Sequence, residues 1–374
     1  MGIVVVGGGL AAATAVTELR AQGYQGAIVL FAAEKHVPYE RPPLSKKILQ
    51  GKEDFASAQV HDASWYDDHH VELRLSTAVT KVDPSSRTVI GSDGTTTSYD
   101  RLLLATGAEP RRFELAERVA APRYLRTIED SENLRSQLRP GAKVVIVGGG
   151  WIGLEVAAAA QIAGANVTVF EAGELPLIRV LGREVAQVFA NLHRYHGVDL
   201  RLESQVTEGD LRSAEVVVVG IGAIPRTELA EDAGLNVENG VLVDATLRTS
   251  DPNIFAIGDV ANQDHPVLGR RIRVEHWDTA IEQAKVASRN LLGAAEEYSR
   301  QPYFYTDQYD LGMEYFGNVG PDGYDRVDIE GSTDVEQNGA FRAYWVKDGT
   351  VLAAMHANDW DAAAEVRASI GTRR

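Results

Sequence analysis

The chain has 374 residues and carries 37 Lys and Arg against 53 Asp and Glu, a formal charge of −16. With 44% hydrophobic and 24% charged residues it can bury a large core, which excludes wholesale disorder and a coiled coil. Its acidity argues against coating nucleic acid or an anionic membrane, no apolar run approaches the ~18 residues of a membrane span, and the absence of cysteine removes disulfides, thiol nucleophiles and Cys-ligated clusters.

Ile3-Val4-Val5-Val6 reads as a strand buried on both faces. No basic region or cleavage pattern accompanies it, so no secretory signal is expected. Gly7-Gly8-Gly9-Leu10-Ala11-Ala12 then turns into an Ala-rich helix to Arg20, and Ile28–Phe31 returns as a second strand. The same plan recurs further along, as Val144–Val147, Gly148-Gly149-Gly150-Trp151-Ile152-Gly153, an Ala-rich helix to Ala163, and Val167–Glu171. In each copy the first glycine (Gly7, Gly148) makes a tight turn and Gly9 or Gly150 lets a pyrophosphate approach the backbone. Ala12 or Gly153 lets the helix pack on the strand. Helix N-terminal amides then hold the phosphate charge. Two such strand–turn–helix copies point to two dinucleotide sites.

Glu171 ends the strand that follows Gly153 and its helix, where a carboxylate accepts ribose hydroxyls and repels a 2′-phosphate, favouring NADH over NADPH. Arg179 and Arg183 are the nearby cations able to reverse that preference. The first copy has Ala32 in this register; Glu34, slightly later, is either a cofactor contact or a solvated loop acid. Further strands end at Ala105-Thr106-Gly107 and at Gly220-Ile221-Gly222, and Ile254–Ile257 delivers Asp259 to the carboxyl end of a sheet, where ligands bind. The stretch from Leu75 to Leu103 includes a hairpin turned at Asp93-Gly94. Its counterpart, from Leu202 to Val217, is much shorter, so the second hairpin is either pruned or missing residues. After Gln301-Pro302 the aromatics crowd together as Tyr303, Phe304, Tyr305, Tyr309, Tyr315 and Phe316. Turn signals at Asn338-Gly339 and at Lys347–Thr350 then predict a small antiparallel sheet, with a helix near Asp361–Ile370. His69, His70, His193 and His196 lack further ligands at sensible spacing; they read as solvated surface histidines, and no metal is expected.

With Pro38-Tyr39-Glu40-Arg41-Pro42-Pro43-Leu44-Ser45-Lys46 and Glu275-His276-Trp277, these motifs resemble the two-dinucleotide FAD/NAD(P)H oxidoreductases of the glutathione-reductase structural class. Within it they look like the ferredoxin reductases that serve bacterial oxygenases and cytochromes P450, relatives of apoptosis-inducing factor. The resemblance implies an α/β fold with two Rossmann-like dinucleotide-binding domains and a small C-terminal α+β domain. FAD would occupy a discontinuous domain (1–109 and 237–302), NADH a domain over 110–236, and 303–374 would form the third. FAD contacts are implied for Gly7, Gly9, Leu10, Ala11, Ala12, Arg41, Lys46, Val79, Ala105, Thr106, Gly107, Arg126, Asp259 and Trp277, with Glu34, Pro42, Glu275 and His276 beside them. NADH contacts are implied for Gly148, Gly150, Trp151, Ile152, Gly153, Glu155, Glu171, Gly220, Ile221 and Gly222. Lys46 would reach the flavin's reactive edge, while Glu155 would pair with Lys46 and orient the nicotinamide amide.

The implied activity carries electrons from NADH through FAD to a small acidic ferredoxin of [2Fe-2S] type, in the cytoplasm, from a monomer or homodimer. No membrane or nucleic acid is expected as partner. The absence of cysteine fits an external carrier, because disulfide reductases of this class route electrons through a Cys pair. An acidic reductase facing an acidic ferredoxin needs a local basic patch, for which Arg270, Arg271 and Arg273 are the candidates. Two rival readings are a small quinone or radical acceptor, and a redox-responsive binding protein resembling apoptosis-inducing factor.

Overall fold

The computed structural model describes residues 2–320 and 323–374. Its contacts divide the chain into two compact units.

The first unit comprises Met1–Arg41, Ala56–Glu109 and Ile224–Arg300. Its five-stranded parallel sheet runs in the order Ile254–Ala256, Arg101–Leu104, Gly2–Val6, Ala27–Phe31, Val71–Arg74. Ile3, Val4, Val5 and Val6 are all buried, as strands covered on both faces must be. Helix Leu10–Ala21 presents Ala11, Ala12, Ala13 and Ala15 inward, and these small side chains let helix Trp277–Leu291 pack closely along it. The expected hairpin is present as the antiparallel strands Val79–Asp83, Thr88–Gly91 and Thr96–Ser98. Helix Glu228–Asp232 packs on the first of them.

The second unit comprises Pro42–Phe55, Pro110–Ala223 and Gln301–Arg374. Its parallel sheet runs Asp199–Arg201, Asn166–Phe170, Lys143–Val147, Val216–Val219, repeating the first plan with one strand fewer. Between Leu202 and Val217 the chain is continuous. A short helix, Glu208–Ser213, stands where the first copy has its hairpin. The Thr207 side chain accepts from the Asp210 amide and the Asp210 side chain bonds back to the Thr207 backbone, so this helix is closed by a capping box. Leu211 packs with Ala116, Phe170 and Val217 and covers the sheet face. A capped helix thus takes the place of the second hairpin.

The C-terminal part of this unit is an antiparallel sheet in the order Tyr303–Gln308, Leu311–Gly317, Thr350–Ala357, Phe341–Lys347, Arg326–Gly331. Asp348 and Gly349 adopt φ of 47° and 70°, the left-handed pair that a two-residue hairpin turn requires. The final helix, Ala363–Ala368, is shorter than its expected span because Trp360–Ala362 forms a 3₁₀ turn first. The compact units divide the chain differently from the expected spans: 224–236 groups with the first unit, and both Pro42–Phe55 and Gln301–Arg374 group with the second.

Candidate functional site

The first glycine turn is dictated by a close approach of two strand ends. Gly7 has φ +136°, and a Cβ there would lie 2.1 Å from the Ala105 carbonyl oxygen. Gly9 caps helix Leu10–Ala21 without a side-chain acceptor, and the first turn holds no acid. Nothing lies within 4 Å of where a Gly9 Cβ would sit. Helices Ile128–Gln137 and Glu208–Ser213, by contrast, are closed by Thr–Asp capping boxes. Uncapped N-terminal amides facing open space fit a phosphate group.

Other first-unit candidates are held by contacts of their own. A Cβ at Gly258 would meet Ala11 at 3.3 Å, which brings the Asp259 loop to the helix start. Leu10 opens the helix, and Thr106 donates to the Arg226 carbonyl, whose amide donates to Gly107. Glu34 accepts from Tyr39 Oη at 2.5 Å and from Arg41 Nη2 at 2.9 Å, so it is a paired acid rather than a solvated one. Trp277 lies beside the Glu40 carboxyl, whose pKa burial pushes up. The His276 side chain accepts from the Asp278 amide and caps the helix that Trp277 opens, while Glu275 pairs with Arg273. Val79 is buried in the core.

Two arginines of the expected basic patch also make structural contacts, although Arg271 remains exposed. Arg271 donates to the Val243 and Asn262 carbonyls, and Arg273 to the Asp259 carbonyl and to Glu275. These two guanidinium groups brace the strand ends beside Asp259, a structural task that the local sequence gives no hint of.

The second glycine turn repeats the first. A Cβ on Gly148 (φ +105°) would fall 2.4 Å from the Gly220 carbonyl, and one on Gly153 2.1 Å from that of Gly148. Gly150 caps helix Trp151–Ile162 with no side-chain bond and with only the Gly220 oxygen near, at 3.7 Å. Glu171 accepts from the amides of Gly149 and Gly173, both at 2.7 Å, which pins its carboxylate to the turn. Ile221 lies against the Gly148 position and Gly222 follows at φ +104°. Arg183 pairs with Glu174 on the surface. Trp151 packs on Phe304 and Phe189, whereas Ile152 is exposed. Arg126 donates its backbone amide to Asp130 at the start of helix Ile128–Gln137.

Within the same unit, the 3₁₀ turn Pro42–Ser45 sets Lys46 against Glu155. Lys46 Nζ is 2.8 Å from Glu155 Oε1, with side chains 13% and 4% exposed. Ser45 Oγ donates to Oε2 and Thr306 Oγ1 donates to Oε1 at 2.5 Å. The Lys46 ammonium also lies 5.4 Å from the Tyr305 ring centroid, within cation–π range. This arrangement holds a carboxylate and an ammonium, both nearly dry, at one point.

His193 is not a surface histidine. It is fully buried, its Nε2 lies 2.8 Å from Gln308 Oε1, and burial pushes its pKa down to about 4. His69 and His70 are exposed and His196 stacks on Tyr309. Among the described residues no cluster of ligating side chains could hold a metal. Sequence reasoning missed Ser45, Thr306, Gln308 and His193 as neighbours of the Glu155 site. The available signal was two polar residues, Thr306 and Gln308, at alternate positions of an otherwise aromatic strand.

The family described as pyridine nucleotide-disulphide oxidoreductase matches residues 1–287. The chain belongs to this family. Its members are oxidoreductases that use FAD and NAD(H). The anthranilate 1,2-dioxygenase system ferredoxin–NAD(+) reductase component of Burkholderia cepacia is 41% identical over 334 residues, covering 85% of this chain and 82% of that protein. The rubredoxin–NAD(+) reductase of Pseudomonas putida is 37% identical over 337 residues, covering 85% and 86%. The crystal structure of a covalent putidaredoxin reductase–putidaredoxin complex superposes with a TM-score of 0.91 at 35% identity, covering 98% of this chain and 91% of that one. Although the family is named for a disulphide, this member has no cysteine with which to form one.

Proposed function

We propose that the chain is an NADH-dependent reductase that holds FAD and delivers electrons to a small iron–sulfur protein serving an oxygenase. The observation that carries this reading is the pair of uncapped glycine-turn helices in a chain without cysteine. Two nucleotides can be held, and no thiol stands between them and an outside acceptor. The names of the relatives, ferredoxin and rubredoxin reductases, support a protein acceptor over a small quinone.

Bound FAD supplies hydride acceptance and stepwise release of electrons; the chain's residues supply binding and electrostatics. The uncapped backbone amides at the Gly9 and Gly150 helix starts would hold the pyrophosphates. Glu171, fixed by two amides, would accept ribose hydroxyls and repel a 2′-phosphate. By the family resemblance Lys46 would offer a positive charge for electron density gained at the flavin, and Glu155, which fixes that ammonium, would orient the nicotinamide amide. Arg41, braced by Glu34, is assigned to the FAD side with Asp259 and Trp277.

Among the described residues no helix is long and apolar enough to cross a membrane. A cytoplasmic setting is part of the proposal, because NADH is made there. Steady-state turnover with NADH tests the reading. A [2Fe-2S] ferredoxin should be reduced with a higher kcat/KM than menadione, and faster menadione turnover would move the assignment to the quinone class.

A further inference from the structure

The buried carboxylate of Glu155 is the end of a longer polar chain, all of it inside the second unit. Strand Tyr303–Gln308 alternates, so Thr306 and Gln308 face inward (1% and 0% exposed) while Asp307 between them faces solvent. On that inner side Thr306 meets Glu155 of helix Trp151–Ile162, and Gln308 meets His193 of helix Ile178–Tyr195. Gln308 Nε2 lies 3.3 Å from Thr306 Oγ1, and Tyr309 Oη lies 3.4 Å from His193 Nδ1.

The direction of every bond follows from chemistry. A carboxylate paired with an ammonium accepts, so the Thr306 hydroxyl donates to it. That hydroxyl then accepts from the Gln308 amide nitrogen, which leaves Gln308 Oε1 to accept from His193 Nε2–H. The Nδ1 of a neutral ring is then bare and accepts from the Tyr309 hydroxyl. Burial keeps the ring neutral: it outweighs the Gln308 bond, which favours the charged form, and nearby His196 also opposes a charge. Four donors therefore point one way, from Tyr309 to Glu155, and bonds aligned in series polarise one another.

We propose that Thr306, Gln308, His193 and Tyr309 form a one-directional hydrogen-bond ladder that positions the Glu155 carboxylate for its work with Lys46 and the nicotinamide. The four are positioning residues, since each acts through Glu155, and the inference rests on the role given to Glu155 above. The ladder explains why two polar side chains occupy core positions of an aromatic strand. It also explains why a histidine is buried beneath Tyr309.

The test uses the FAD-loaded protein and its variants Glu155→Gln, Thr306→Val, Thr306→Ser and Tyr309→Phe. Anaerobic stopped-flow gives the limiting rate of flavin reduction and the NADH Kd, and ¹⁵N NMR of the labelled His193 ring gives its tautomer. Thr306→Val should lower the limiting rate about tenfold, the scale of one lost bond to a charged group, with the NADH Kd within twofold. Thr306→Ser should restore the rate to within about twofold. The unsubstituted protein should show the Nε2–H tautomer, and Tyr309→Phe should move the Nδ1 resonance toward that of a free acceptor. Equal rates for Thr306→Val and the parent, a slow Thr306→Ser, or an Nδ1–H tautomer would each overturn the ladder. Glu155→Gln separates the two levels: if it leaves reduction unchanged, the role of Glu155 itself fails.

Discussion

Replacing Lys46 by Met tests the buried pair most sharply. At 2.8 Å and an effective dielectric of about 20, the gross attraction is roughly 6 kcal/mol. Desolvation of two nearly dry side chains cancels much of that, so the net worth of the pair is small. Removing one partner is different, because Glu155 would be left buried and uncompensated, at a typical cost of about 3–5 kcal/mol. Ser45 and Thr306 still donate to the carboxylate, which places the expectation at the lower end, near ~3 kcal/mol. For a unit of about 200 residues this corresponds to a melting shift of roughly 10 °C. The assay is the thermal melt of the FAD-loaded protein in a double-mutant cycle with Glu155→Gln. Gln removes the buried charge and keeps an acceptor oxygen for one hydroxyl, while its amide nitrogen can donate to the oxygen of the other, so the double variant should recover at least ~2 kcal/mol of the loss. A Lys46→Met melt within about 2 °C of the parent, or strict additivity in the cycle, would refute the argument.

Three further outcomes are expected. Gly9→Ala meets no protein atom, so the variant should melt normally when stripped of flavin yet bind FAD at least about tenfold more weakly by fluorescence titration. Glu171→Ala should narrow the NADH-over-NADPH ratio of kcat/KM by about tenfold or more, since it removes the charge that repels a 2′-phosphate. His193 remains neutral in the native state down to about pH 4, while the unfolded ring takes up a proton near pH 6.5. Its contribution to stability is therefore complete above pH ~6.5 and declines as pH falls toward 4, by about 3 kcal/mol in all. Denaturant unfolding of His193→Gln against the parent should lose that much of the acid slope.

The two nucleotide cradles are legible in the sequence because their determinants are local. Gly7, Gly148 and Gly153 each answer a backbone approach at one strand–turn–helix unit, and glycine spacing reports that directly. The Lys46–Glu155 pairing is legible too, though only through the resemblance. The ladder is not. His193 sits in a run of polar neighbours, Arg194 and His196 among them, and the side chain that satisfies it is 115 residues away. The arginines at 270–273 are only partly legible. Three closely spaced cations suggest a docking patch, and the sequence does not show that two of them also hold backbone carbonyls that only the folded sheet assembles. The short segment before Val216 is interpretable only once the capping box of Thr207 and Asp210 shows a helix in place of a hairpin.

The central claim is that electrons leave the flavin directly for an outside carrier, because the chain has no thiol to receive them. Anaerobic titration of the FAD-loaded protein with NADH, followed by mixing with oxidised [2Fe-2S] ferredoxin, tests it in one experiment. One NADH per flavin should complete the bleaching of the flavin band, and two ferredoxins should then be reduced per flavin, unaffected by arsenite. Uptake of a second NADH equivalent, or a reduced flavin that stays reduced in the presence of ferredoxin, would contradict it.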